Sequence, residues 1–434
     1  MGDDRFDVLI IGAGPAGSVA ALVLARGGAR VALVDKATFP RDKACGDLVG
    51  PRGVQVLDDL GIAVAGSLPV GEMVVIGPTG RRVRLPCFPG LTYPDHAMAV
   101  PRAEFDNVLR NEAIAAGAVP FTGQAIESLD GEAGLEGFVL SNGARLRADT
   151  VIGADGATSR VAEAGGMVDR RRVMWGFAIR SYLDQPVALP HIVLWEQSPW
   201  RALPGYGWLF PGPDGRANVG LGVGTLADRT SAASAVRLLP AFLDHLQRLG
   251  LLAAPPPPAG RLGGWLKMGI VGTTPAAGRV MLVGDAAGLV NPLQGEGISQ
   301  AITSGRAAAE AILAGADQAA TRYAARLAAD HLPYQRIAAV TQATLLPHPK
   351  AMAAVGRALT LPGIGSALAG GWSIFWNELH DGASPGCARS TAAVATGVGR
   401  AVTARTATRR WFDQALAPGA QAYSDCPIAR HTRS

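Results

Sequence analysis

Near its start the chain carries a β-branched apolar run within Asp7–Ile11 (DVLII), and a few residues later an apolar stretch with helical spacing, SVAALVLARGG. The first predicts a buried strand. The second predicts a helix that stops at Gly27 and Gly28, where the backbone can turn left-handed. RVALVDK reads as the next strand, and two later runs, DTVIGADGATS from Asp149 and RVMLVGDAAG from Arg279, repeat the order of strand and glycine turn. Elsewhere the rhythm changes. Residues 67–100 and 172–275 hold short alternating segments, most of the tryptophans, and turn signals such as GPDG at Gly212–Gly215, which predict small strands joined by turns. PPPP at Pro255–Pro258 reads as a stiff linker. Beyond about Asn291 the chain becomes alanine-rich and helical, and the tail after about Gln414 reads as loose. No period of about 20 to 50 residues repeats, which excludes a solenoid.

Composition narrows this picture. At 434 residues, with 48% apolar and 17% charged residues, the chain suits a soluble globular protein of two or three domains with a large core. Its four cysteines, Cys45, Cys87, Cys387 and Cys426, are far apart and form no C-x-x-C pair. Neither a disulfide framework nor a zinc site is expected, and His96, His191 and the other histidines lack ligand-like spacing, so no metal is assigned. The opening MGDDRFDVLI has acids where an export signal would have bases, which points to a reducing cytoplasm.

The net charge of +5 is modest but uneven: Arg389, Arg400, Arg405, Arg409 and Arg410 lie in a stretch without acids that ends beside Trp411. No nucleic-acid module accompanies them, so a general phosphate-binding surface is expected and nucleic acid is not. The longest uncharged stretch, Ala358–Asn377, would reach across a bilayer by length. Its four glycines and Pro362 argue instead for a buried or membrane-surface segment, and residues 358–411 are the candidate for peripheral membrane contact.

The chemistry begins at Gly12-x-Gly14-x-x-Gly17, between the first strand and the first helix. At this spacing the first glycine permits a tight turn, the second lets backbone approach a pyrophosphate, and the third lets helix and strand pack closely. The helix start offers free N–H groups and a positive dipole end to phosphates. Asp35 ends the next strand, where a carboxylate accepts hydrogen bonds from a ribose. A lone glycine triplet is a weak signal, but strand, helix, strand and acid in register predict a dinucleotide site, for NAD(P) or FAD.

Two further segments, GADGATS (Gly153–Ser159) and GDAAGLVNPLQGEGISQA (Gly284–Ala301), join the opening in a set that resembles the three FAD-contacting motifs of the flavoprotein hydroxylase superfamily. The resemblance implies FAD as cofactor. It implies that Asp285 binds the ribityl chain and that the helix starting near Gly295–Gly297 points its N-terminus at the flavin, where the reduced ring carries negative charge. Asp155 and Gly156 are then expected near FAD, and Arg102, in VPRAEFDNVL, in contact with it. Ala16, Lys36, Ala125, Gly284 and Ile298 complete the implied set beside Gly12, Gly14, Gly17, Asp35 and Cys45. A second G-x-G-x-x-G is missing, so NADPH or another external donor would visit the flavin transiently. The implied fold is α/β: a Rossmann-like FAD-binding domain (1–66, 101–171 and 276–345) with an inserted antiparallel β-sheet substrate domain (67–100 and 172–275) and a helical C-terminal region with a loose tail (346–434).

Smaller details point to a branch of that superfamily. The aromatic hydroxylases usually carry a histidine after the late Gly-Asp-Ala-Ala, where Gly288 stands here. The halogenases usually carry W-x-W-x-I-P, where this chain has YGWLFP at Tyr206–Pro211. FPRDKACGD, YGWLFP and GDAAGLVNPLQGEGI together resemble the geranylgeranyl reductase family, from about Asp7 to about Gly315. Members of that family saturate C=C bonds of polyprenyl chains on lipids, diphosphates, chlorophyll precursors or quinones.

The resemblance implies that Cys45 lies near the flavin and that Tyr206, Trp208 and Phe210, which alternation puts on one strand face, wall a prenyl channel. Packing alone is the other reading of each. An isolated alkene is a poor hydride acceptor, so a proton donor is needed; Cys45, Tyr206 and a bound water are the candidates. Trp208 is grouped with Cys45 and Tyr206 as catalytic. An FAD monooxygenase acting on an aromatic or polyketide substrate and a non-catalytic flavin-binding lipid carrier are the alternatives, since one fold hosts all three.

Overall fold

A computed structural model describes residues 4–85, 94–130, 137–170, 173–194, 205–225, 232–253, 259–331, 335, 338–339, 349–376, 390, 393–394, 397 and 401. Cys87, Cys387, Cys426, the proline run at 255–258, the named arginines between Arg389 and Arg410, Trp411 and the tail lie outside them.

Strands Ala276–Ala277, Val280–Leu282, Arg145–Gly153, Asp4–Ile11, Val31–Asp35 and Val119–Thr122 follow one another across an eight-stranded sheet, with Ile126–Asp130 and Gly137–Leu140 joined to its side. The run from Val280–Leu282 to Val119–Thr122 is parallel. Parallel strands covered on both faces are apolar throughout, and Val8, Leu9, Ile10, Val31, Leu33, Val151 and Ile152 are buried accordingly. Helix Pro15–Arg26 packs against helices Arg102–Ala115 and Ile298–Leu313. It approaches Ile298–Leu313 so closely that a Cβ on Gly305 would lie 2.2 Å from Ala16 O.

A seven-stranded sheet runs in the order Ala259–Met268, Met174–Leu183, Ala217–Thr225, Gly205–Pro211, His191–Leu194, Met73–Ile76 and Arg82–Leu85. Its pairings are antiparallel except that of His191–Leu194 with Met73–Ile76. These two strands come from distant parts of the chain, so no hairpin dictates their relative direction. Strands Leu68–Val70 and Ala97–Ala99 pair with each other, and Leu48–Val49 joins Ala97–Ala99, in a separate three-stranded sheet.

Helix Ala232–Arg248 lies within the stretch read from sequence as short strands. Leu239, Phe242, Leu243 and Leu246 recur at helical spacing and bury against the sheet face formed by Leu209, Val219 and Leu221. The opposite face carries Trp208, Phe210 and Ala178. Toward the C-terminus, helices Ala319–Asp330, Pro349–Ala358 and Gly365–Trp376 follow. Ala369 packs with Val75, Val83 and Leu85, which accounts for part of the long uncharged stretch as buried structure. Among the described residues no helix is long and apolar enough to cross a membrane.

Candidate active site

Strand register brings the three glycine turns together. Ile11 pairs with Gly153, and Gly153 with Leu282, so the chain leaves all three strands at one level. Ala154 N donates to Ile11 O at 2.7 Å and Val283 N to Gly153 O at 3.0 Å, stitching the exits to one another. This is the carboxyl edge of parallel strands, where open α/β sheets hold ligands. Gly12 has φ +107°, and a Cβ there would sit 2.2 Å from Ala154 O. A Cβ on Gly17 would sit 1.8 Å from Gly12 O. Both positions exclude side chains because backbone meets backbone. Gly14 differs: its Cβ would meet only an Arg41 guanidinium nitrogen at 3.5 Å, so the protein leaves it room. It caps helix Pro15–Arg26 without a side-chain hydrogen bond, which leaves N–H groups at the helix start for an anion.

The second strand carries Asp35, whose carboxylate accepts from Ala13 N and Ala37 N, each at 2.8 Å. Ala125 lies beside it: Gln124 N donates to Asp35 O at 3.0 Å, and Ala125 N to Ser141 Oγ at 3.2 Å. Lys36 is exposed. Ala16 is buried in the contact with Ile298–Leu313. Asp155 accepts from Arg160 N at 2.7 Å and Val161 N at 3.3 Å at the start of helix Arg160–Ala164, and Gly156 follows with φ +83°. Burial pushes the Asp155 carboxyl up, against the hydrogen bonds it accepts.

Beside these turns, reaching Pro15 and Asp285, lies a cavity of about 470 Å³. Cys45, Arg102, Tyr206, Trp208, Asp285 and Ile298 line it, with Gly295 and Gly297 at the same rim. Gly297 caps helix Ile298–Leu313 without a side-chain hydrogen bond of its own, and the positive end of the helix dipole lies at this rim. Gly284 begins a 3₁₀ turn held by Ser304 Oγ at 2.9 Å from its N–H, and Asp285 pairs with Lys43 at 3.6 Å. Arg102 is buried and bonds Asp106 through two nitrogens at 2.7 and 2.8 Å; burial opposes its charge, and the Asp106 carboxylate raises its pKa overall.

The Cys45 thiol is free and half-buried, and its Sγ accepts from Asp47 N at 3.4 Å. Burial pushes the thiol pKa up, Arg102 lowers it and Asp47 raises it further. Tyr206, Trp208 and Phe210 share one face as alternation predicts, with ring centroids 6.3 Å apart at each step. The Tyr206 hydroxyl donates to Gln294 O, and burial pushes its pKa up, with Cys45 and Glu296 adding to the shift. Thiol and phenol both keep their protons at neutral pH.

Several participants escaped the sequence reading. Helices Pro349–Ala358 and Gly365–Trp376 bring Met352, Val355 and Ala369 to the cavity wall, where Leu194 packs against the Ala369 cluster. Glu296 lines it too; Ser299 N donates to Glu296 Oε1 at 2.8 Å, and burial pushes this carboxyl up. Lys267 is buried, donates to Ala286 O beside Asp285, and burial brings its pKa down to about 8. Asn218 is a buried amide in an otherwise apolar strand, and that break in pattern was its available signal. Among the described residues no group of acids, histidines and cysteines could hold a metal ion.

Residues 5–178 match the FAD binding domain family model. A menaquinone reductase of Mycolicibacterium smegmatis is 38% identical over 320 residues, covering 72% of this chain and 77% of that protein. A geranylgeranyl diphosphate reductase of Rhodobacter capsulatus is 33% identical over 323 residues, covering 71% and 75%. The crystal structure of a geranylgeranyl bacteriochlorophyll reductase-like protein from Thermoplasma acidophilum superposes with a TM-score of 0.72 at 21% identity, over 93% of this chain and 99% of that one. At that identity the likeness speaks for the fold.

Proposed function

The chain belongs to the family of FAD-dependent reductases that includes the menaquinone and geranylgeranyl diphosphate reductases, and from this we propose that it saturates C=C bonds in the polyprenyl tail of a quinone. The observation that carries the reading is the continuity of one cavity, from the Cys45, Asp285 and Gly297 rim past Trp208 to the apolar helices at Met352 and Ala369. A polar site at one end and a greasy passage beyond suit a cofactor that meets a long hydrocarbon.

The residues present fit FAD. Asp35 would hold the adenosine ribose, the uncapped start of helix Pro15–Arg26 the pyrophosphate, and Asp285 the ribityl chain. When bound and reduced by NADPH or another external donor, FAD would supply the hydride. The protein's own contribution is threefold. The helix start at Gly297, where Glu296 takes the Ser299 N–H, turns the positive end of its dipole toward the cavity rim. Trp208, Phe210 and the apolar far wall exclude water and orient the chain. Cys45 Sγ and Tyr206 Oη hold protons where the alkene would lie, and Glu296 lines the same cavity with a carboxyl that burial pushes up.

A tail dissolved in a bilayer must be withdrawn from it, and we place the contact at the turn between helices Pro349–Ala358 and Gly365–Trp376. Leu361 is 38% exposed and Ile364 56%, in the turn that joins two helices whose residues also wall the cavity. Lys350 and Arg357 are the charged residues from Pro349 to Trp376, and both suit an anionic membrane. Turnover under strict exclusion of oxygen tests the assignment. A prenyl reductase keeps its rate, whereas an oxygen requirement would make the chain a monooxygenase.

A further inference from the structure

Cys45 does not reach the cavity on a free loop. Two residues on, Asp47 is 5% exposed and has φ +60°, a left-handed conformation uncommon for any residue but glycine and tolerated best by Asn and Asp. Three donors converge on its carboxylate. Tyr182 OH donates to Oδ2 at 2.5 Å, Asn218 Nδ2 donates to Oδ2 at 2.8 Å, and Arg102 N donates to Oδ1 at 3.3 Å. Burial pushes this carboxyl up, and the bonds from Tyr182 and Asn218, with the charges of Arg180 and Arg102, oppose that push. Both of its oxygens are thereby engaged as acceptors. Asn218 extends the connection, since its Nδ2 also donates to Cys45 O at 2.8 Å and its Oδ1 accepts from Trp208 Nε1 at 2.8 Å. Arg180, buried behind Tyr182 with its guanidinium 4.3 Å from the ring centroid, pairs with Asp42 on the same loop.

We propose that Asp47 is a positioning residue that locks the turn carrying Cys45 to the aromatic wall at Trp208, so that thiol and indole hold a fixed separation across the cavity. The inference deepens the proposed function and rests on it for the meaning of that separation, but the linkage itself needs no substrate to be present. Each partner comes from a different element: Tyr182 from Met174–Leu183, Asn218 from Ala217–Thr225, Trp208 from Gly205–Pro211 and Arg102 from Arg102–Ala115. The carboxylate therefore joins the seven-stranded sheet to the helix that starts at Arg102 and to the Cys45 loop.

The charge gives a readout that a purely structural role would not move. Burial is the main reason the Cys45 thiol resists ionisation, Arg102 opposes it, and the Asp47 carboxylate adds to it. Asp47→Asn keeps the size and the tolerance for a left-handed backbone but removes the charge. Lys43 on the same loop, Glu72, Asp95, His96, Arg102, Tyr206, Asp285 and Glu296 along the cavity, and Asp42, Arg180 and Tyr182 around Asp47, are unchanged.

The experiment measures iodoacetamide alkylation of Cys45 against pH, read on its own peptide by mass spectrometry, in FAD-free and FAD-loaded protein. Asp47→Asn should move the profile to lower pH, because a thiol that ionises one pH unit earlier carries about tenfold more reactive thiolate at neutral pH. Tyr182→Phe, which keeps the charge and loosens the turn, should speed alkylation at every pH without moving the profile. With prenyl substrate, both variants should lose kcat more than they raise KM. A wild-type profile in Asp47→Asn, or unchanged alkylation in Tyr182→Phe should the first variant not fold, overturns the proposal. Alkylation needs no substrate, so a wild-type protein that failed to reduce prenyl chains would refute the proposed reaction and leave this inference decidable.

Discussion

Two glycines, two residues apart, should fail in opposite ways when each is replaced by alanine. At Gly12 the new methyl would lie 2.2 Å from Ala154 O and 2.9 Å from Asp155 N, on a backbone with φ +107°. The unfavourable backbone costs about 1–2 kcal/mol. Forcing the turn after Gly153 away from its neighbour costs about 1–3 kcal/mol more. A loss of about 2–5 kcal/mol is a large part of the stability of a domain, about 5–15 kcal/mol. At Gly14 the same methyl meets one guanidinium nitrogen at 3.5 Å. Its φ of −74° and ψ of −174° are open to alanine, so the expected cost is that of a poorer helix cap, about 0.5–1 kcal/mol. That methyl would stand where a pyrophosphate approaches the helix start. Losing one hydrogen bond to a charged group costs about 1.5–3 kcal/mol, which weakens FAD about 10- to 150-fold. Thermal unfolding of FAD-free protein, then with FAD added, separates the two. Gly14→Ala should unfold near the wild-type temperature without FAD and gain less from its addition. Gly12→Ala should unfold early in both. A Gly14→Ala protein that binds FAD with full affinity would refute the assignment of this turn to the pyrophosphate.

Other substitutions test other parts of the site. Trp208→Phe keeps an aromatic wall but leaves Asn218 Oδ1 without its indole donor, so chemical unfolding should show a loss of about 1–3 kcal/mol. Lys267 has a folded pKa of about 8 against an ordinary 10.5, so the unfolded chain binds the extra proton between those values and stability should rise with pH across that window. Lys267→Met should remove this slope, as read from the wild-type minus variant difference in urea unfolding; parallel curves would show that the lysine titrates normally. Leu361→Ser with Ile364→Ser should reduce flotation with anionic liposomes while leaving FAD content unchanged, and undiminished flotation would move the membrane contact elsewhere.

What was legible in the sequence was what local pattern determines. The glycine turns, the buried strands around Ile10 and Ile152, and the alternation of Tyr206, Trp208 and Phe210 all follow from spacing within a few residues. The register that sets Ile11, Gly153 and Leu282 level does not, because it is decided by pairing across long separations. Helix Ala232–Arg248 was obscured by Pro240 and by its setting among strands, although Leu239, Phe242, Leu243 and Leu246 carry its period. Asp47 could be seen beside Cys45 but not understood. Its three donors come from residues 102, 182 and 218, and only the folded chain brings them to one carboxylate. The far wall of the cavity was hidden for a similar reason: an uncharged stretch reads alike whether it covers a tunnel or meets a membrane.

The central claim is that the chain reduces a hydrocarbon tail, and one comparison tests it most directly. Protein with photoreduced FAD is mixed anaerobically with a menaquinone bearing an unsaturated polyprenyl tail and, separately, with the same quinone bearing a saturated tail. Flavin absorbance is followed and the extracted lipid is weighed by mass spectrometry. The account predicts reoxidation by the unsaturated tail alone, with the tail gaining two hydrogen atoms for each double bond reduced. Equal reoxidation by both quinones with no change in tail mass would place the chemistry at the quinone ring and contradict it.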